Sequence, residues 1–115
     1  MPIKATSTST RPSTNVAYHI DDFSNSFDVF SYMENTYGTT GKLLATSFDN
    51  SDVLTNVWTE WWDSMESLNE FLADTVLNQG LIERNLHREA NNIQTTYTTE
   101  EVPIDAVPVG VFHKN

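Results

Sequence analysis

Hydrophobic and polar residues alternate or recur at helical spacing along most of the chain, and these periods predict six secondary-structure elements. Runs in which every second residue is apolar or aromatic predict four strands, and the second and third flank a turn-forming Asp/Asn/Ser run and so predict a hairpin. In chain order the predicted elements are a strand at 16–20, a helix at about 22–37, strands at 42–48 and 53–62, a helix after Asp63, and a strand at 93–98. This order predicts an α+β fold: a four-stranded antiparallel sheet, its first and third strands central, with two helices on one face.

The second predicted helix has recognisable start and stop signals. Asp63 precedes its first turn, and Glu66 follows three residues later as in a capping box. Gly80 interrupts the apolar repeat, which continues to Ala90, so the helix is expected to bend or restart there.

Both ends of the chain depart from these periods. Residues 1–15 are polar and rich in serine and threonine, which predicts a flexible N-terminal arm. Residues 102–115 are apolar but interrupted by prolines, which predicts a C-terminal arm or edge strand. The folded domain is therefore predicted to span residues 16–101.

The third predicted strand is apolar on both faces. Val57 and Trp61 alternate with Trp58 and Trp62, so each face of the strand carries tryptophan. Two helices cover only one face of such a sheet, and monomers rarely expose a large apolar patch. We therefore expect a second copy on the open face, giving a homodimer, with the C-terminal arm as a competing cover. The alternative is that one row lies on a rim at the strand ends.

Composition narrows the class of protein. The chain has 115 residues, no cysteine and a net charge of −10, which disfavours nucleic acid and anionic membranes as partners because both would be repelled. It contains no 18-residue apolar run for a membrane span and no apolar signal-peptide core at its N-terminus. A soluble, cytoplasmic protein is the expectation.

The junction of the third strand and second helix resembles the antibiotic-biosynthesis-monooxygenase (ABM) family of dimeric α+β barrels. Members commonly show a Glu-x-Trp-x-Ser run there, followed by an acid and a leucine, and Glu60, Trp62, Ser64, Glu66 and Leu68 occupy these places. The resemblance implies a ferredoxin-like βαββαβ protomer and a barrel formed by two sheets across a dimer. It also implies activities such as cofactor-free oxygenation of aromatic polyketides or haem degradation. The haem-degrading branch relies on a histidine that has no convincing counterpart in this chain.

Candidate chemistry concentrates near the same strand. His19 and Glu60 are candidate catalytic residues that would move a proton, since a histidine titrates near neutral pH and a carboxylate among aromatic rings has a raised pKa. Tyr18, Trp58, Trp62 and Phe71 are candidate ligand-binding residues for a small aromatic ligand. The structural alternatives are a solvated histidine, a hydrogen-bonded glutamate and aromatic residues that only fill the core and dimer interface.

Other site classes lack a sequence motif. The three histidines are scattered, so no metal site is predicted, and none of the four glycines stands at phosphate-loop or dinucleotide spacing, so no cofactor is predicted. Two functions remain open. One is a homodimeric barrel that binds a small aromatic or quinone-like molecule and oxidises it without a cofactor. The other is a non-catalytic binding or assembly module whose barrel is filled by side chains.

Overall fold

The computed structural model describes residues 1–16 and 29–112, which form one antiparallel sheet packed against helices. The strands are β1 (Ile3–Thr10), β2 (Leu43–Asp52), β3 (Thr55–Trp62) and β4 (Gln94–Glu101). The helices are α1 (Val29–Met33), which continues as a π-helix (Glu34–Gly38), α2 (Met65–Leu72) and α3 (Thr75–Ala90), and a short 3-10 helix (Ile104–Ala106) follows β4.

The strand order is β2-β3-β1-β4, with every neighbouring pair antiparallel. The predicted α+β topology, with the first and third strands central, is therefore confirmed. Ile3, Trp62 and Leu43 lie side by side across three strands and join the core that the helices cover. Because side chains alternate along a strand, this register defines a helix-facing side and an open side of the sheet.

The first strand is not where the sequence predicts it. Residues 3–10 form central strand β1, with Ile3, Ala5 and Ser9 each at most 3% exposed, so the prediction of a flexible arm over residues 1–15 is wrong. Threonine is β-branched and favours strands, and small serines fit a crowded central position, so low hydrophobicity here does not mean disorder. Apart from Val16, the strand predicted at 16–20 lies outside the described residues, as does the helix predicted at 22–37 before residue 29.

The hairpin is displaced from its predicted turn. β2 continues through the Asp/Asn/Ser run to Asp52, and the chain reverses at Val53 and Leu54. Asp52 Oδ1 accepts a 2.8 Å hydrogen bond from the backbone N–H of Leu54, so its side chain closes the reversal.

Two capping side chains set the limits of the later helices. Ser64, rather than Asp63, caps α2, because its Oγ accepts a 3.2 Å bond from the Ser67 N–H. The break predicted at Gly80 occurs earlier, at Ala73 and Asp74, and α3 continues through Gly80. Asp74 Oδ1 accepts bonds from two N–H groups of the first turn of α3, so a good cap, rather than a helix-weakening glycine, determines the boundary.

The open side of the sheet is less apolar than predicted. Val57 and Trp61 are partly buried on β3, but β1 places Thr8 opposite Val57 and Lys4 opposite Trp61, and every residue of β4 is exposed. The prediction of two apolar faces therefore holds for β3 and not for the sheet as a whole. None of the helices that the structure describes is long and apolar enough to cross a bilayer.

The C-terminal segment runs from one edge of the sheet to the other. Val102 N–H donates to Pro2 O beside β4, whereas Gly110 N–H donates to Leu44 O and Thr46 N–H donates to Val111 O on β2. Gly110 has a φ of 85°, a left-handed conformation that glycine adopts without steric cost. Phe112 then packs against the core near Gly38. The segment thus occupies hydrogen-bonding groups on the outer edge of β2.

Candidate functional site

Glu60 is a buried carboxylate held between two tryptophans. The Trp58 Nε1–H donates to Glu60 Oε2 at 2.6 Å, and the Trp62 Nε1–H donates to Oε1 at 3.0 Å. Glu60 is only 8% exposed. We call these three residues the Glu60–indole cluster. Each carboxylate oxygen has its own neutral donor, and no ion pair to Glu60 within 4 Å is formed by the residues that the structure describes.

The strand period explains why these three side chains meet. Residues 58, 60 and 62 are two apart on β3, so all three face the helices. Trp62 is fully buried, with its ring 4.9 Å from that of Phe71 and 5.6 Å from that of Tyr37. Trp58 is partly buried, and its ring meets Phe30 edge-on at 4.7 Å. One indole therefore belongs to the core, while the other retains some accessible surface.

The surroundings of Glu60 alter its protonation. Burial raises the pKa of Glu60 above its ordinary value, while the hydrogen bonds from Trp58 and Trp62 and the charge of Arg84 oppose that rise. A carboxyl group with a raised pKa is a better proton acceptor than an exposed glutamate, and such groups are typical of functional sites.

Two arginines on α3 carry positive charge inward. Arg84 and Arg88 stand one helical turn apart, and Arg88 is 9% exposed. Burial lowers the pKa of Arg88 to about 10, with a further contribution from the charge of Arg84. Burial also lowers the pKa of Arg84, and the charge of Glu60 opposes that effect. We call these two residues the arginine pair.

Three buried polar atoms of the described residues have no hydrogen-bond partner. They are Arg84 Nε, Arg88 Nε and Asn56 Nδ2, and Asn56 is only 3% exposed. All three are N–H donors. Buried donors without acceptors are rare in native proteins because each loses its hydration without compensation.

The sheet under this region is lined by small side chains. Ser7 on β1 lies between Trp58 on β3 and Tyr97 on β4, and in the next row Ser9 lies between Asn56 and Thr95. Tyr97 is half-exposed, and burial together with the charge of Glu60 raises its pKa to about 12. Trp58 and Tyr97 therefore lie on either side of a small side chain on the central strand β1.

A narrow crevice lies beside Trp58, between α1, β2 and the C-terminal segment. Its walls include Phe30, Met33, Thr46 and Phe112. It is too narrow in this conformation to hold a water molecule.

A second polar cluster ties the helices together. The hydroxyls of Tyr32 and Tyr37 donate to Asp74 Oδ2 at 2.5 and 2.6 Å, while Asp74 Oδ1 caps α3. Although burial acts to raise it, the pKa of Asp74 is lowered, because the two phenols and two backbone N–H groups donate to the ionised carboxylate. This cluster is satisfied within the fold, so it serves packing rather than ligand binding.

The structure brings some of the predicted site residues together. Trp58, Glu60 and Trp62 are in direct contact, and Phe71 packs behind Trp62 in the core. Tyr18 and His19 lie outside the described residues. Within the described ranges, no three carboxylate or imidazole side chains converge as metal ligands would.

Sequence reasoning missed the arginine pair and Asn56. The helical stripe of apolar residues suggested that Ile82 and Leu86 face inward, but they are 59% and 62% exposed, while Arg88 is buried and Arg84 is partly buried. One signal was available: these two arginines are a third of the six basic residues of an acidic chain, and they stand at i, i+4.

Comparisons with known proteins give structural neighbours. No protein-family model and no curated protein sequence matches the chain. A Deinococcus radiodurans protein described provisionally as an antibiotic biosynthesis monooxygenase has a similar structure, with a TM-score of 0.53 and 15% identity over 88% of this chain and 92% of that one. A dimeric ferredoxin-like protein from an uncultured marine organism is similar with a TM-score of 0.55 and 12% identity, over 90% of this chain and 96% of that one. The chain therefore has the ferredoxin-like α+β fold, and its structure resembles that of an ABM-type protein.

Proposed function

We propose that this chain is the subunit of a homodimeric α+β barrel that binds a small aromatic or quinone-like molecule on the helix-facing side of its sheet. The observation that carries the proposal is the Glu60–indole cluster: a buried carboxylate whose two oxygens are each held by an indole N–H. A structural glutamate gains little from such a position, since burial of a carboxylate costs more than neutral donors return.

The neighbourhood of Glu60 suits a flat ligand. Trp58 and Tyr97 retain accessible surface on either side of the small Ser7, so an aromatic ring placed there would contact two aromatic side chains. Pockets for small molecules combine apolar walls with a few polar groups that fix orientation. Here Trp58 and Tyr97 would supply the walls, and Glu60 would supply a polar group.

The activity that we propose is oxidation by O₂ without a bound cofactor. Glu60, or His19 as a second candidate, accepts a proton from an activated ring C–H₂ group, and the resulting carbanion reduces O₂. One oxygen atom becomes the new C=O, and the other leaves as water with the two hydrogens of the substrate. The role of Glu60 in this scheme is to accept and return the proton, and the indole donors stabilise its ionised form.

The homodimer is proposed from the open side of the sheet. Trp61 and Val57 are partly buried there in a single copy, and one structural neighbour is a dimeric ferredoxin-like protein. Pressing two open sides together would cover both residues and form the barrel. Sedimentation at micromolar concentration tests this: a 13.0 kDa species would contradict the dimer.

Oxygen uptake with anthrone as the probe tests the activity. The full chain is expected to consume one O₂ per anthraquinone formed, with label from ¹⁸O₂ in the product. Glu60→Gln should reduce the rate at least about tenfold, whereas Glu66→Gln, which changes an exposed carboxylate on α2, should not. The His19→Gln variant tests the second candidate base. No uptake above the uncatalysed rate, with no change in tryptophan fluorescence, would contradict the proposal.

A second candidate function is a non-catalytic assembly module with a filled barrel. The narrow crevice beside Trp58 favours the absence of catalysis, since side chains leave little room for a ligand at that point on the helix-facing side. A dimer that binds no aromatic probe, yet depends on residues 103–115 for its stability, would favour this alternative.

A further inference from the structure

The arginine pair marks a part of the helix-facing side that the proposed chemistry does not use. Arg84 and Arg88 project from one face of α3 toward the sheet, and both Nε atoms are buried without an acceptor. Asn56 adds a third buried donor from β3. We infer that these residues form an anion subsite, and that the small molecule bound beside Glu60 is an aromatic carboxylic acid. This inference rests on the proposed function and specifies its ligand.

The unpartnered atoms define what the ligand must supply. Every buried unpartnered side-chain atom of the described residues is a donor, so the missing group is an acceptor. A guanidinium presents its donors as a planar fork that matches a carboxylate with two hydrogen bonds. A neutral carbonyl would satisfy one donor and leave the charge of the pair uncompensated.

Charge balance favours a monoanion. The arginine pair carries two positive charges, and Arg84 also lies within electrostatic range of Glu60. With Glu60 ionised, one positive charge remains uncompensated, which a single carboxylate neutralises and a phosphate dianion exceeds. An anion placed there also removes the cost of burying Arg88, which is 9% exposed without a partner.

The sheet register places an aromatic wall next to this subsite. Asn56 lies in the row of Ser9, and Trp58 and Tyr97 lie in the adjacent row with Ser7 between them. A carboxylate held by the arginine pair would therefore direct its ring toward Trp58 and Tyr97. Glu60 lies two residues beyond Trp58 on the same face of β3, within electrostatic range of Arg84.

The amphipathic pattern of α3 supports a selected role for these arginines. The inward face of α3 begins with the fully buried Leu77 but continues with Arg84 and Arg88, while Ile82 and Leu86 are exposed, which hydrophobic burial alone does not favour. A helix that turns guanidinium groups inward and isoleucine outward needs a compensating interaction, and the bound carboxylate supplies it.

Calorimetric titration with 2-naphthoate, its neutral analogue 2-naphthamide and inorganic phosphate tests the inference. The wild-type chain is expected to bind 2-naphthoate at least about tenfold more tightly than 2-naphthamide, as charged hydrogen bonds predict. Arg84→Gln and Arg88→Gln should each reduce this preference toward one. Lys4→Gln, which removes a positive charge from the open side of the sheet, should leave the preference unchanged. Arg88→Lys, which keeps the charge but loses the fork, should give an intermediate preference and remains informative if a glutamine variant does not fold.

The outcomes distinguish failure of this inference from failure of the proposed function. Equal affinity for the acid and the amide, or an unchanged preference in both arginine variants, would overturn the anion subsite and leave aromatic binding intact. Phosphate binding as tight as that of 2-naphthoate would overturn the carboxylate assignment. Absence of binding by both naphthalene probes would overturn the inference and the proposed function together.

Discussion

Toward the Trp62 end of the sheet the helix-facing side is dry, whereas toward Asn56 it is lined by polar groups. In the dry half, Trp62, Ile3 and Leu43 pack under Tyr37 and Phe71 with almost no exposed surface. The polar half holds the serines of β1, the arginine pair and Asn56, and its three unpartnered donors contrast with a satisfied core. The difference separates the half of the sheet that provides the packed core from the half where we propose that a ligand binds. One half stabilises the chain, and the other holds groups whose cost of burial a ligand can offset.

Glu60 joins the two halves. Its Oε1 accepts from Trp62 in the dry half, and its Oε2 accepts from Trp58, which retains accessible surface. A change in the protonation of Glu60 therefore acts on the core indole and on the site at once. The following four substitutions test this contrast, beginning with the largest expected change in the free energy of unfolding.

Trp62→Ala should destabilise the chain most. Trp62 is fully buried and contacts Phe71 and Tyr37, so its removal should cost about 4 kcal/mol in urea unfolding from lost burial and the cavity left behind. Trp61→Ala, on the open side, is the matched control and should cost less. Similar losses for both variants would show that the dry half is not the main source of stability.

Asp74→Ala should be the next largest change. It removes the cap of α3 and the acceptor for Tyr32 and Tyr37, a combined loss of about 2–3 kcal/mol. Because the pKa of Asp74 is lowered in the fold, its stabilisation is present at neutral pH and is lost as the pH falls below its unfolded value of about 3.9 toward the folded one. Acid titration of the unfolding free energy measures this. Asp63→Ala is the control, since Ser64 caps α2, and an equal loss there would contradict the assignment of the cap.

Glu60→Gln should have a small effect on the free energy of unfolding and a clearer effect on how that free energy depends on pH. The amide group turns an N–H₂ toward one of the two indoles, so the variant should be less stable by about 1 kcal/mol in acid. Because the folded pKa of Glu60 is raised, the unfolded wild-type chain ionises first as the pH rises above about 4.3, and the wild type loses stability relative to the variant. The gap should therefore narrow with rising pH. A gap independent of pH would show that burial does not disfavour the charge of Glu60.

Arg88→Met should give the smallest effect and the opposite sign. Methionine fills a similar space without a buried unpartnered charge, so the variant should gain about 1 kcal/mol in the absence of ligand. Thermal unfolding of the ligand-free chain measures the gain, with Lys42→Met as the control, because Lys42 is more exposed and paired with Glu70. A loss of stability in Arg88→Met would mean that the polar half is satisfied without a ligand.

Sequence periodicity predicted the dry half better than the polar half. Alternation along β3 was sufficient to place Trp58, Glu60 and Trp62 on one face, because every second side chain of a strand points to the same side of the sheet. The strand order and central positions followed from the same patterns. The inward position of Arg84 and Arg88 did not follow from these patterns, because an amphipathic helix normally turns its apolar residues inward.

The missed first strand has a different cause. Residues 3–10 contain two apolar side chains, Ile3 and Ala5, and the rest of the strand is lysine, serine and threonine. Hydrophobic alternation is therefore weak there, and only the β-branched threonines signalled a strand. The small serines that weaken the hydrophobic signal of β1 include Ser7, the residue that lies between Trp58 and Tyr97 in the sheet.

The course of the C-terminal segment limits how copies of the chain can add to one another. Gly110 and Val111 occupy hydrogen-bonding groups on the outer edge of β2, so among the described strands β4 carries the bare edge. Two copies that join through β4 present the same edge to each other, and the eight-stranded sheet that results has β2 with its C-terminal segment at both ends. Strand addition by this route would therefore end after one event, and it could not build an open-ended fibre.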